Sequence, residues 1–465
     1  MDNPAGRVFL FLQGLHGRLF RQLAARLSAA GVEIRRLCFN AADDAEWAGV
    51  GPIDRYRAPL ACYDEWLAHY LTRHKVTDIL LYGDTRPEHA RAIAVTRRLG
   101  VLCHCLEEGY LRPHWVTYER WGNNGHSPLL GISLDRIGEA VGPLSPPQET
   151  PADGWGAHRA HLWYSMLYHA RLLLPSRRYG RYRSRRGLTL WQEFVNYLSR
   201  LAGMPLRRRR QGHQARRLFE SRRRYHLVLL QLSFDCSMQV HSRFACSAEF
   251  AADCIAAFAD GAPAEDMLVF KSHPFEDGSE RLDRAIATAA ARAGVADRIL
   301  FVDGGPSLAA LLDSAATAVT INSTAVQQAL WRGLPVAALG RAIYGKPELV
   351  ADQGLAAFFA APQPPDRKAY WQFRQFLLQT SQLRGSFYSR RGISALLATL
   401  PAAILSPVDP YERVLEAGPE RRPAAVPVAQ LAASRSAPHS RAAGTVTAKL
   451  AAESLEVPCP RQAAG

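Results

Sequence analysis

Lysine is almost missing from this chain: Lys75, Lys271, Lys346, Lys368 and Lys449 are the five in 465 residues, so the 57 basic side chains are nearly all arginine. Long apolar runs are missing too. No stretch approaches the ~18 consecutive apolar residues of a membrane-spanning helix, and the longest, near Val8–Leu12 and Leu227–Leu232, fit strands. The N-terminal run is short and no small-residue cleavage site follows it, so no secretory leader is expected and a cytoplasmic location is. None of the eight cysteines forms a Cys-x-x-Cys pair. Zinc-ligand spacing is therefore lacking, and a disulfide framework is not expected in a chain of this size. In a strand, Cys103-His104-Cys105 would point both thiols one way and the imidazole the other, which predicts buried thiols. There is no Walker loop, no G-x-G-x-x-G and no nucleophile elbow.

What is present in excess is positive charge, in one place. The formal charge is +15, and residues 171–224 hold 17 arginines against Glu193 and Glu220, a local 17 − 2 = +15. The remainder of the chain is close to neutral. A concentrated patch calls for an anionic partner. Nucleic acid is not expected, because no recognised reading module accompanies the arginines.

Residues 1–150 alternate short strands with amphipathic helices: strands at Val8–Leu12, Val32–Phe39, Asp78–Tyr82 and Val101–Leu106, and helices near Leu19–Leu27, Tyr63–His74 and Glu88–Leu99. This pattern predicts a parallel α/β sheet. A Pro/Gly-rich stretch, 142–155, marks a boundary, and 151–224 reads as a basic helical linker or insertion. A second α/β run over 225–416 places strands at Leu227–Leu230, Met267–Phe270, Ile299–Val302, Thr317–Ile321 and Pro335–Leu339. From 417 to 465 the composition collapses to Ala, Pro, Arg and Ser, which cannot offset its ordering entropy, so a disordered tail is expected.

Open α/β sheets bind ligands beyond the carboxyl ends of their strands, which directs attention to the strand-to-helix junctions. Lys271-Ser272-His273-Pro274 offers a cation and donors suited to phosphate, or is a surface loop with a turn proline. Asn322-Ser323-Thr324, before a helix expected at Ala325–Arg332, is either an ordinary N-cap or a phosphate cradle. Asp235, with His241 and Ser242 shortly after it, is either a capping aspartate or a cleft carboxylate. In the first domain, Tyr82-Gly83-Asp84-Thr85-Arg86-Pro87 and Glu107-Glu108-Gly109-Tyr110-Leu111-Arg112-Pro113 bring carboxylates to two adjacent strand ends, as activation of an acceptor hydroxyl requires. One of Glu107 and Glu108 would be a cleft base and the other a partner for Arg112.

In order along residues 7–400, Phe11-Leu12-Gln13-Gly14, Leu81–Asp84 with Arg86-Pro87, Glu107–Pro113, Lys271–Pro274, Thr320–Thr324 and Phe387-Tyr388-Ser389 resemble the capsule polysaccharide biosynthesis/export family, in its KpsS/LipB-type branch. The sequence departs from that pattern at Leu15-His16 and at Arg120–Asn124. The resemblance implies an α/β fold of GT-B type, two Rossmann-like domains facing a cleft, and a retaining, metal-independent β-Kdo transferase. It would move Kdo from CMP-Kdo to a (lyso)phosphatidylglycerol-type lipid, initiating a capsule linker with other capsule biosynthesis and export proteins as partners. A lipid acceptor without a membrane-spanning helix implies a peripheral contact, so the arginines of 171–224 are expected on an anionic inner-membrane surface, where each basic residue contributes ~1 kcal/mol. By the same resemblance Asp235 is the nucleophile, and Glu107, or secondly Glu108, is the acceptor base. Lys271, Ser272, His273, Pro274, Asn322, Ser323 and Thr324 would hold CMP, and Gly14, Asp84, Arg86, Tyr110 and Arg112 would lie on the acceptor side. No cofactor or metal is expected. The alternative is a non-catalytic scaffold of the capsule assembly or export complex.

Overall fold

A computed structural model of the chain describes residues 6–47, 49–142, 163–164, 166–168, 171, 216, 218–274, 276, 278, 280–303 and 306–417. The sequence places β1 (Val8–Phe11), β2 (Glu33–Cys38), β3 (Ile53–Arg55), β4 (Asp78–Tyr82), β5 (Leu102–Glu108) and β6 (Trp115–Arg120) in the first half. The second half contributes β7 (Tyr225–Leu229), β8 (Met267–Lys271), β9 (Ile299–Val302), β10 (Thr317–Thr320), β11 (Val336–Ala338) and β12 (Gln382–Arg384). Two sheets result, ordered β12-β6-β5-β4-β1-β2-β3 and β11-β10-β7-β8-β9. All five strands of the second sheet run parallel, and so do β1 to β5 in the first. This is the expected pair of Rossmann-like domains.

β1 reads as an unbroken apolar run because helices cover both of its faces. Phe9 and Phe11 pack into one cluster with Leu19, Phe20, Leu23 and Leu27 of the helix Leu19–Ala29. Val8, Leu10 and Leu12 pack into another with Cys103 and Cys105. The alternation also disposes of Cys103-His104-Cys105. The thiols lie buried on the Leu10 face, while His104 stacks on Phe9 and bonds to Asp78 (2.9 Å) and Tyr118 (2.8 Å). The helix Pro87–Leu99 opens on proline and closes on Gly100 at φ 70°, the usual assignment of those two residues to helix ends.

The sequence boundaries fail at the C-terminal end. The second domain drawn over 225–416 includes β12, which pairs antiparallel with β6 of the first sheet, Gln382 opposite Thr117. The helix Arg390–Leu405 then packs Ile393, Leu396, Leu400 and Ile404 against Phe9 and Phe11. A three-residue strand carries too little periodicity to be seen in the sequence, and its partner lies far away along the chain. β6 is also antiparallel to β5, so the first sheet is mixed at that edge.

One cluster joins the two domains, bringing Leu129, Ile132 and Ile137 against Leu227, Leu229 and Tyr344. Buried Lys346 donates from Nζ to the carbonyls of Ile132 (2.7 Å) and Leu129 (3.3 Å). Among the described residues no single helix is long and apolar enough to cross a membrane. Most of the basic segment 171–224, the boundary around 143–162 and the tail 418–465 lie outside the described residues. Tyr411, in the last helix Pro410–Ala417, is buried and donates to Glu119. Ending the chain after Ala417 is thus expected to leave the melting temperature nearly unchanged. Ending it before Pro410 should lower it clearly, and thermal unfolding of the two truncations checks this.

Candidate active site

Beyond β7 the chain turns through Leu230–Phe234 into the helix Cys236–His241, capped by Asp235, whose Oδ1 accepts from Ser237 N at 2.8 Å. Asp235 is therefore a cap, set beyond the loop that follows β7. The loop is fixed from the side. Gln231 Nε2 donates to Asn322 Oδ1 (2.9 Å), Asn322 N to Gln231 Oε1 (3.0 Å), and Asn322 Nδ2 to the Ser237 carbonyl (2.8 Å). Asn322 thus ties the end of β10 to the helix that Asp235 begins. Ser323 caps the single 3-10 turn Thr324–Val326, and Tyr344 OH donates to its carbonyl (2.7 Å). The helix expected at Ala325–Arg332 is split into that turn and a short helix, Gln327–Arg332.

At the neighbouring strand, Lys271 closes β8 with its Nζ on the Ser272 carbonyl (3.0 Å), and Ser272 Oγ donates to Asp303 (2.8 Å). Both side chains are buried. His273 and Pro274 are half-buried and follow directly.

In the first domain, buried Asp84 sits just beyond β4, where its Oδ2 accepts from Asn123 N at 2.8 Å and lies 3.1 Å from His126 Nδ1. Arg86 Nη1 donates to Gln13 Oε1 (2.8 Å), and Gln13 Nε2 in turn donates to Asp43 (3.1 Å) and Tyr168 (2.9 Å). Gly14 is required by close approach, since a Cβ there would sit 2.7 Å from the Phe20 ring. Glu107 and Glu108, at the end of β5, are half-buried. Glu107 Oε1 accepts from Glu108 N (2.9 Å), and its Oε2 lies 3.4 Å from where a Cβ on Gly83 would be. The Tyr82 hydroxyl is held well above its usual range, by burial first and then by both glutamates.

Tyr110 has its hydroxyl inside the protein. It is fully buried, donating to Glu119 Oε2 (2.6 Å) and accepting from Asn124 N (2.7 Å), because the β5–β6 hairpin folds it inward. Arg112 donates from Nε to the Gly109 carbonyl (3.2 Å) and precedes a cis proline, Pro113.

The two domains meet at a pair of histidines. His241, ending the helix that Asp235 begins, lies with its ring centroid 4.5 Å from that of His126, nearly perpendicular. Burial pushes the His241 imidazole down to about 4, and His126 adds to that while Asp84 opposes it, so His241 is neutral at pH 7. The loop carrying His126 fits because of its glycines. A Cβ on Gly125 would overlap the His241 ring, and one on Gly122 would stand 3.1 Å from Asp84 Oδ2. The sequence points to His241 but not to His126; the glycines at 122 and 125 just before it were the available signal.

Asp84 and His126 of the first domain thus meet His241 of the second, between two sheets of the kind that bind ligands beyond the carboxyl ends of their strands. Residues 77–388 match the family described as capsule polysaccharide biosynthesis protein. The chain belongs to that family. The chain is 29% identical over 398 residues to the capsule polysaccharide modification protein LipB of Neisseria meningitidis serogroup B, covering 82% of this chain and 91% of that protein. It is also 29% identical over 387 residues to the capsule polysaccharide export protein KpsS of Escherichia coli, covering 83% and 97%. Among solved structures, the beta Kdo 2,7 transferase of Thermosulfurimonas dismutans KpsC aligns with 84% of this chain and 99% of its own, at 12% identity and a TM-score of 0.39.

Proposed function

We propose that this capsule-family protein is a GT-B glycosyltransferase that moves Kdo from CMP-Kdo to a phosphatidylglycerol-type lipid, the first step of a capsule linker. The observation that carries the reading is the position of Asp235. It is a carboxylate in the loop after β7, bonded to Ser237 N, which Asn322 reaches through the Ser237 carbonyl, and β7 lies in the sheet between β10 and β8, the strands that lead into the two junctions suited to CMP. Membership of a family whose relatives are named for capsule modification and export supports it.

In this mechanism a carboxylate oxygen of Asp235 bonds to the anomeric carbon while CMP departs with the bonding electrons. The acceptor hydroxyl, deprotonated by Glu107 or Glu108, then displaces the carboxylate, so two inversions give net retention. The primary test is product formation from CMP-Kdo and lysophosphatidylglycerol by the purified chain. If CMP is not released, the scaffold reading takes over. His273→Ala is expected to weaken CMP-Kdo binding as well as slow transfer, because it removes a contact used in both ground and transition states. Calorimetric titration with CMP, alongside kinetics, checks this.

A lipid acceptor also requires contact with a bilayer. We assign that contact to the arginines of 171–224, on charge alone, since most of this segment lies outside the described residues. Replacing Arg207–Arg210 with serine should weaken binding to anionic liposomes, most at low salt, where screening is least. Unchanged sedimentation with such liposomes would remove this role.

A further inference from the structure

Asp84, His126 and His241 come from three separate places: the turn after β4, the 3-10 turn Asn124–His126, and the end of the helix Cys236–His241 in the other domain. One ligand atom from each lies within 4.8 Å of the others. Two imidazoles and a carboxylate form a donor set that suits zinc and related divalent ions. Cys103-His104-Cys105 offers no such site, because its histidine is already held by Asp78 and Tyr118.

Three features distinguish the group from a chance cluster. His241 is only 6% exposed, and its Nε2 has no hydrogen-bond partner, an arrangement that costs free energy unless something coordinates the nitrogen. Gly122 and Gly125 admit the His126 loop against Asp84 and His241, where any side chain would collide. The His126 side chain is 42% exposed, which leaves a route for an ion to enter.

The geometry points to a divalent-cation site, fitted to Zn²⁺, that clamps the two domains together through Asp84 and His126 on one side and His241 on the other. Zinc bonds of ~2.0–2.1 Å bring tetrahedral ligand atoms to about 3.3 Å apart. The group therefore has to contract by at most roughly 1.5 Å, a movement open to the exposed His126 side chain. Binding would anchor the C-terminal end of the helix Cys236–His241. Asp235 caps its other end, about 9 Å away at 1.5 Å per residue, so the ion is a positioning element and does not touch reacting atoms. The inference is independent of which sugar or lipid is used.

The test uses the full, untagged chain, stripped with a chelator and then titrated with Zn²⁺ alone. The expected result is one Zn²⁺ retained per chain by elemental analysis, with slower amide exchange over Asn123–His126 and Cys236–His241. His126→Ala removes an exposed side chain and is expected to fold as the wild type does. It should weaken Zn²⁺ binding roughly tenfold or more and abolish the exchange protection. His241→Ala should do the same. If folded His126→Ala binds Zn²⁺ with wild-type stoichiometry and affinity, or if Zn²⁺ leaves exchange of both segments unchanged in the wild type, the site does not exist.

Discussion

Asp235→Asn is expected to bind CMP-Kdo within a few-fold of the wild type and to transfer Kdo roughly 10³-fold or more slowly. The substitution separates chemistry from structure. Asparagine is as good an N-cap as aspartate, so the bond from Ser237 N and the helix Cys236–His241 should persist. Only the negative charge that attacks the anomeric carbon is lost. Single-turnover transfer to lysophosphatidylglycerol, with CMP binding measured separately, checks both halves. Near-normal turnover would remove Asp235 as nucleophile and direct attention to Glu107 and Glu108.

The second large effect is on stability. Glu119 of β6 is fully buried and accepts from Tyr110 OH (2.6 Å), Asn123 Nδ2 (3.0 Å), Ser127 Oγ and Tyr411 OH. It holds the hairpin, the loop of His126 and the last described helix around one carboxyl group. Glu119→Ala should cost on the order of 3 kcal/mol or more, from a cavity and several buried donors left without acceptors, and urea unfolding measures it. The same group carries a pH signature. Burial, only partly offset by the four donors, raises its carboxyl from 4.5 to about 7. Between those values the folded chain holds a proton that the unfolded chain has released, so this group's contribution to stability falls as pH rises through about 7. The stability of the wild type relative to Glu119→Gln should therefore decline from pH 5 to pH 8. A difference that is flat across that range would show that the group titrates normally.

The longer elements were legible because their periods repeat. Asp78–Tyr82 and Ile299–Val302 have the bounds expected of them, and the helices Tyr63–Arg73 and Pro87–Leu99 differ by a residue at one end. β3 and β12, of three residues each, were not legible, since so short a run has no period to read. Glu119 was missed because its strand, β6, was not read from the sequence, and its burial depends on partners such as Tyr411, 292 positions away. The partner of Tyr110 was not legible either: its hydroxyl is used inside the hairpin, on a glutamate nine residues away.

The amino-acid sequence by itself determined the α/β character, the two successive runs of parallel strands, the polar residues at their carboxyl ends and the family. Each of these is encoded over a short span, by alternation, helical spacing or an ordered set of motifs. Only the tertiary structure decided that the chain returns from the second domain to complete the first sheet, and which polar residues face one another between the domains. Those outcomes depend on long-range packing, such as Lys346 reaching the carbonyls of Leu129 and Ile132 and Gly125 letting the His126 loop close on His241. No local period records such pairings, because their energy appears only when residues far apart in sequence are buried together.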